Sequence, residues 1–169
     1  MIKDPEAPAV DAAALRNGMA LLAGAVNIVT TNGPGGRQGF TASAVCSVTD
    51  SPSTLLVCVR RDSSVGAAFM ANRAFCVNTL GPDHNGLARL FGGKTPVETR
   101  FAGAQWSTLT TGAPVLEGAL VSFDCTTSDF KDVGTHRVIF GTVQAVRAGT
   151  ATASSVYFNR AFHSVPTSC

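Results

Sequence analysis

Apolar positions along this chain recur mostly in runs of strand length, separated by turn-forming clusters, with helical spacing in three places. Leu15, Met19 and Leu22 share one helical face, and Asp11 stands where an N-cap belongs, so a helix opens the chain. Residues 26–31 are β-rich. Asn32-Gly33-Pro34-Gly35-Gly36 is turn chemistry, and 38–48 reads as the returning arm of a hairpin. After a turn at Asp50-Ser51-Pro52, residues 54–59 are apolar without alternation, which predicts a strand buried on both faces. Arg61-Asp62-Ser63-Ser64 opens a short helix over 65–72, and 74–80 reads as a second buried strand. A helix starting at Asp83 carries Leu87, Leu90 and Phe91 and ends at Gly92-Gly93, as C′ glycines end helices. Residues 94–104 read as irregular, and Trp106, Leu109, Pro114 and Leu116 belong to short elements. Two longer strands follow over 119–128 and 137–147, joined by Lys131-Asp132-Val133-Gly134-Thr135, with a last short strand over 155–158. Strands with three short helices between them predict a mainly β fold, an antiparallel barrel with helical insertions.

Length and composition sharpen this picture. The chain of 169 residues reads as one domain over 1–169, its first ten or so residues a flexible arm. Charged residues make up only 14%, against about 25% in an average soluble domain, while 45% are hydrophobic. Disorder is excluded by that balance. A net charge of +2, with no basic cluster larger than Arg60-Arg61, argues against nucleic acid as a partner. No run of 18 apolar residues suggests a membrane span, and the acidic N-terminus does not resemble a signal peptide. The five cysteines (Cys46, Cys58, Cys76, Cys125 and Cys169) form no C-x-x-C pair, which fits reduced thiols in a cytoplasmic protein. Cys58 and Cys76 sit in apolar runs and read as small buried hydrophobes, whereas Cys169 reads as exposed. So few charges on so apolar a chain imply surface that is not meant for water.

Familiar catalytic patterns are missing. The glycines of 33–39 lack G-x-G-x-x-G spacing and precede no helix pattern. Gly93-Lys94-Thr95 ends like a P-loop, but Ala88 occupies the first required glycine and a helix, not a strand, precedes it. His84, His136 and His163 lie far apart, and no carboxylate pair or Ser-His-Asp pattern stands out. Redox chemistry needs none of these, because there the cofactor carries the hard step.

One long stretch is specific. Gly39-Phe40-Thr41-Ala42-Ser43-Ala44-Val45-Cys46-Ser47-Val48-Thr49-Asp50-Ser51-Pro52 resembles the signature of the short-chain flavin reductase family. These are the reductase components of two-component flavin-dependent monooxygenases, such as the 4-hydroxyphenylacetate and phenol hydroxylase reductases. The resemblance continues through Leu55-Leu56-Val57-Cys58-Val59, Phe75-Cys76-Val77-Asn78-Thr79-Leu80, Phe91-Gly92-Gly93, Arg100-Phe101, Gly134-Thr135-His136 and Tyr157-Phe158, covering roughly 15–165. It implies a split β-barrel (Greek-key, FMN-binding type) that works as a homodimer, binds FMN or FAD, and oxidises NADH or NADPH. A separate monooxygenase would receive the reduced flavin by diffusion.

Residue by residue, the resemblance places Thr41, Ala42, Ser43 and Ala44 along the flavin ring, their amides toward its polar edge, where fixed donors stabilise developing negative charge. Ser47 and Val48 would meet the ribityl side or the ring. Val59, Arg60, Ser63 and Ser64 would reach the flavin phosphate, at a helix start that is also an ordinary capping site. His136 would serve the nicotinamide, positioning it rather than moving a proton. Phe91, Lys94 and Arg100 would help close the flavin pocket, and Tyr157 and Phe158 would lie near the flavin or in the core. The loop 94–100 looks shorter than in relatives. Two other readings stand beside this one. A non-catalytic flavin-binding protein on the same barrel would have no use for Gly134-Thr135-His136, and an apolar-ligand barrel would bind no flavin.

Overall fold

The computed structural model describes residues 10–167, so the expected N-terminal arm and the exposure of Cys169 lie outside the described residues. Asp11 caps α1 (Ala12–Ala20), its carboxylate accepting from the Ala14 amide at 3.1 Å. The helix ends at Ala20, so Leu22 falls beyond it; Leu15 and Met19 on the helix and Leu21 and Leu22 just past it stay 54–65% exposed.

After the short β1 (Gly24–Ala25) come β2 (Asn27–Thr31), β3 (Gln38–Ala42), β4 (Val45–Asp50) and β5 (Ser53–Arg60). Helix α2 (Ser64–Asn72) leads to β6 (Ala74–Thr79), and a 3-10 turn at Pro82–His84 to α3 (Asn85–Gly92). Then follow α4 (Val97–Ala102), β7 (Trp106–Thr108), β8 (Pro114–Leu116), β9 (Val121–Val133), β10 (His136–Ala148), β11 (Ala153–Phe158) and β12 (Ala161–Pro166). Seven strands make one antiparallel sheet in the order β3-β2-β6-β9-β10-β5-β4; β1-β11-β12 and β7-β8 form small sheets.

That order carries a geometric consequence. β3 and β4 are the two edges of the large sheet, yet only Ser43 and Ala44 separate them in sequence. Three Cα steps reach at most about 11 Å, so the sheet must roll until its edges nearly meet. The fold is the expected split barrel, with its seam at Ser43–Ala44. Val29, Val57, Phe75, Val77 and Ile139 fill the barrel with Phe69 of α2; Ile28, Leu80, Leu87, Phe91, Phe101 and Leu116 form a second core under α3 and α4.

Several sequence expectations need correction. The arm over 38–48 is two strands on opposite edges. β5 alternates, with Leu55, Val57 and Val59 buried and Leu56 and Cys58 only half-buried, because its outer face has no covering layer. The 94–104 segment contains α4, and β12 was not anticipated. The connection over 131–135 is mostly strand, closed by a two-residue turn at Gly134-Thr135 in which Gly134 takes φ +55°, as the first position of a II′-type turn requires. Helix α3 ends without a left-handed glycine, since Gly93 has φ −97°.

No helix among the described residues is long and apolar enough to cross a membrane. Cys76 and Cys125 are fully buried. Burial, with Asp124 nearby, raises both thiols, Cys125 to about 12. Burial also raises Cys58, while Cys46 is exposed. Labelling with a thiol reagent at mildly alkaline pH should therefore modify Cys46 in the native protein, and Cys76 and Cys125 only after unfolding. Peptide mapping reads the order; early labelling of Cys76 would contradict the packing.

Candidate functional site

The seam organises the site. Asn27 sends its side-chain amide to the carbonyls of Ala25 and Ala42, at 3.0 and 3.2 Å, and so fixes the last residue of β3. Beyond it, Val45 N–H bonds Ser43 O, and Cys58 N–H of β5 bonds Ala44 O. The carbonyls at the seam are thus satisfied, whereas the Ser43 and Ala44 amides donate to nothing among the described residues. Ser43 and Ala44 are both exposed. Two amides left without partners at an accessible seam are prepared donors for a ligand's acceptor.

A cleft of about 810 Å³ opens beside them, within the usual range for small-molecule sites. Thr41, Ala42 and Ser43 form one wall. Ala88, Gly92 and Gly93 form another, and Tyr157 and Phe162 of the β11–β12 hairpin a third. Thr41 Oγ1 donates to Ala88 O at 2.6 Å, which locks β3 to α3 and sets the width of the cleft. Small residues at 88 and 92 lie four apart, on one helix face, and leave room for a flat group. Asn85 and Ser155 meet at 2.5 Å and join α3 to the hairpin sheet.

Sequence-predicted residues fall in three places. Thr41, Ala42 and Ser43 line the cleft, and Ala44 lines an adjoining cavity. Arg60 pairs in register with His136 across β5 and β10, both exposed, at the end of β5 that runs past Ala44. Cys58, bonded to Ala44, precedes Arg60 by two residues, about 7 Å along a strand. Arg61 N–H bonds Thr135 O at 3.0 Å, and Thr135 Oγ1 lies 2.9 Å from His136 Nδ1. Ser63 caps α2, accepting from the Gly66 amide at 3.0 Å and donating to Arg60 O at 2.7 Å; Ser64 is the exposed first residue of the helix. The capping role is therefore real, and it holds the helix start against β5.

Other side chains sit elsewhere. Val59 points into the barrel core, so only its backbone could face a ligand. Phe91 is a core residue, stacked edge-on against Phe101 at 5.1 Å and lying on Gly39, where an added Cβ would come within 2.8 Å of its ring; it backs the cleft rather than closing it. Arg100 is committed to main-chain carbonyls, those of Thr95 at 2.6 Å, Gly39 at 3.1 Å and Gly93 at 3.3 Å. It ties the Gly93 corner to β3 and has little left for a ligand. Lys94 is exposed. Ser47 lines a separate cavity of about 540 Å³ with Leu55 and Val143, and Val48 stands 46% exposed at a β4 bulge. Tyr157 lines the cleft, stacked edge-on with Phe162 at 5.4 Å, while Phe158 lies against His163. Sequence reasoning missed Asn27, Asn85, Arg89, Arg160 and Phe162. Only the Asn159-Arg160 dipeptide between two β-rich runs hinted at the hairpin that brings in the last two.

Residues 19–166 match the Flavin reductase like domain. The chain belongs to the flavin reductase family. The chain is 55% identical over 155 residues to a protein of Pantoea ananatis named FMN reductase (NADH) RutF, spanning 92% of this chain and 82% of that one. A protein of the same name from Escherichia coli K12 is 53% identical over 156 residues, spanning 92% and 95%. Among solved structures, a Haemophilus somnus protein assigned as a flavin reductase superposes with a TM-score of 0.90 at 46% identity, covering 92% of this chain and all of that one. BorF, the flavin reductase component of a bacterial two-component tryptophan halogenase, gives 0.86 at 28% identity, covering 94% and 100%.

A flavin fits the residues present. The unpartnered amides meet the demand of its polar ring edge for donors, and the small-residue walls meet the demand of a flat ring for close approach. When bound, a flavin supplies the acceptor for a nicotinamide's hydride. The chain's own residues would bind and orient: Ser43 and Ala44 amides at the ring edge, Thr41 and Ala42 along it.

Proposed function

We propose that this flavin reductase uses NADH to reduce FMN and releases the reduced flavin to a separate monooxygenase. One observation carries the reading: a seam with two unpartnered amides opens on a ring-sized cleft, in a chain more than half identical to proteins named FMN reductase (NADH). The two-component role draws support from BorF and from a nitrilotriacetate monooxygenase component B of Mycobacterium thermoresistibile, 27% identical with a TM-score of 0.86. Catalysis here is mostly proximity, two flat rings held in register. The α2 start, with Ser63, Ser64 and Arg60, would take the flavin phosphate, because a helix N-terminus with hydroxyls and an arginine is an anion site. Steady-state loss of nicotinamide absorbance, compared for FMN and FAD and for NADH and NADPH, tests the reading. It expects the FMN–NADH pair to be turned over with the highest kcat/KM, and flavin-independent or absent turnover would refute it.

His136 would position the nicotinamide nucleotide at the sheet edge beside Arg60. His136→Ala should raise the KM for NADH about tenfold, the loss of one good hydrogen bond, and leave the KM for FMN within twofold. Unchanged constants for both substrates would remove His136 from the donor site.

The exposed apolar side chains at α1 support a homodimer, since an apolar, charge-poor chain with Leu15 and Met19 on the helix and Leu21 and Leu22 just past it in water calls for a partner surface. Light scattering at micromolar concentration should give twice the mass of the chain, and Leu22→Glu should shift it toward the monomer. A monomeric parent would contradict the proposal.

A further inference from the structure

The 810 Å³ cleft adjoins a second cavity of about 1010 Å³, under α1, and the two share Ser43, Tyr157 and Arg160 as walls. Among the described residues lining this joined space, the charged side chains are Arg16, Arg89 and Arg160, and none is acidic. No carboxylate pairs with these three among the described residues, whereas Arg37, Arg61, Arg137 and Arg147 each have one.

Two of the three are held in place without being neutralised. Arg89 lies over the Phe162 ring, 4.9 Å from its centroid, a contact that fixes the guanidinium plane and leaves its N–H groups free. Arg160 donates to Asn17 Oδ1 at 2.6 Å and stands at the tip of the β11–β12 hairpin. That tip is strained: Asn159 and Arg160 take φ +49° and +61°, a left-handed pair normally given to Asn-Gly. The Asn159 amide bonds Ala20 O at 2.7 Å and anchors the tip to α1. A glycine would relax the second position; an arginine there, aimed at the junction of two cavities, is strain kept at a functional place. Fixed, unpaired guanidinium groups at the walls of a cleft focus a positive field into it and match phosphate oxygens in shape.

We propose that Arg89 and Arg160, with Arg16 behind them, form an anion site distinct from the α2 start, and that its ligand is the diphosphate of a dinucleotide. The inference rests on the flavin reductase reading and adds a subsite to it. Two ligands share this chemistry, a reduced nicotinamide dinucleotide and FAD, and the joined space is larger than one flat ring requires.

Binding titrations on the full-length protein separate the sources. NADH is compared with reduced nicotinamide riboside, and FAD with riboflavin, in the parent, in Arg160→Gln and in the double variant Arg89→Gln, Arg160→Gln. Within each pair the affinity ratio isolates the diphosphate with its adenosine, so general loosening of the cleft cancels, and the lysine variant tells charge on the diphosphate from adenine contact. The double variant should lower the ratio of at least one pair about tenfold or more, with Arg160→Lys restoring most of the loss seen in Arg160→Gln. A lowered NADH ratio assigns the site to the donor; a lowered FAD ratio assigns it to the flavin. Ratios unchanged in both pairs would overturn the subsite while leaving the reductase reading intact. Failure of the parent to bind any flavin would instead overturn the reductase reading, and this inference with it.

Discussion

Asn78→Leu should cost this protein about 3–5 kcal/mol of stability, the largest effect expected of any single substitution away from the cleft. Asn78 is fully buried at the crossing of four strands. Its amide group donates to Ile28 O at 3.1 Å and Thr30 Oγ1 at 3.3 Å of β2. Its carbonyl oxygen accepts from the Leu116 amide of β8 and from Ser122 Oγ of β9, both at 2.9 Å. Leucine keeps the branched skeleton and its methyl ends are bulkier, so no cavity is created; the main change is that the Leu116 N–H and Ser122 O–H are stranded in an apolar interior. Each stranded group costs roughly 1–3 kcal/mol, and β8 loses one of its fastenings to the barrel, keeping those from Thr30 to Pro114 O and from Arg147 to Leu116 O. Against a typical total of about 5–15 kcal/mol, that loss should lower Tm by about 10 °C in a domain of this size. Denaturant unfolding of both proteins measures it, and a loss below about 1 kcal/mol would contradict the network.

Gly66→Val should weaken FMN binding about tenfold or more and cost about 1–3 kcal/mol of stability by overpacking. Here the argument is close approach. A Cβ at Gly66 would lie 2.5 Å from Arg60 O and 3.0 Å from Arg61 O, both main-chain atoms at the end of β5 that cannot swing aside. The first turn of α2 must then lift away, breaking the Ser63 Oγ contacts with Gly66 N–H and Arg60 O. If that turn holds the flavin phosphate, affinity for FMN falls more than affinity for riboflavin, which lacks the phosphate. Equal losses for the two flavins would show that the turn supports the fold without touching the phosphate.

Much of the strand content was legible because local pattern and tertiary burial agree there. β6 opens with four apolar residues in a row, Ala74 to Val77, and it is covered on both faces inside the sheet. The seam was not legible. Ser43 and Ala44 are flanked by β-forming residues with no Gly or Pro between them, so nothing local marks the break. It exists because the rolled sheet must hand the chain from one edge to the other, a property of the whole topology. β5 misled for a related reason. Leu56 and Cys58 are apolar on a face that this single chain leaves half-covered, so composition overstated burial. Helix α4 has no side-chain cap and only six residues; it forms because Phe101 is buried between Phe91 and Trp106 and Arg100 anchors its approach. The polar 131–135 segment extends two strands beyond the core, where Arg137 grips Asp132 at 2.6 Å and lies over Phe130, contacts that local polarity cannot reveal.

At the site, some residues that the resemblance pointed to share a cavity and others do not. Thr41, Ala42, Ser43 and Ala44 line the two adjoining cavities, where the resemblance put them beside a ring. Phe91, Arg100 and Val59 instead belong to the supporting structure, being committed to core contacts or to main-chain carbonyls. The arginines of the joined cleft escaped notice because they are brought together from α1, α3 and the last hairpin. The low charge noted at the outset also takes a definite form. Few carboxylates leave those arginines unpaired, and the exposed apolar side chains at α1 are the surface on which the homodimer is proposed.

The account stands most directly on an anaerobic mixing experiment. Free FMN and one equivalent of NADH react slowly alone, and a trace of this protein should bleach the visible flavin band completely, at a rate proportional to protein and saturating in both substrates. An unchanged rate of bleaching, with FMN shown by titration to bind, would contradict the claim that the seam and its cleft form a flavin-reducing site.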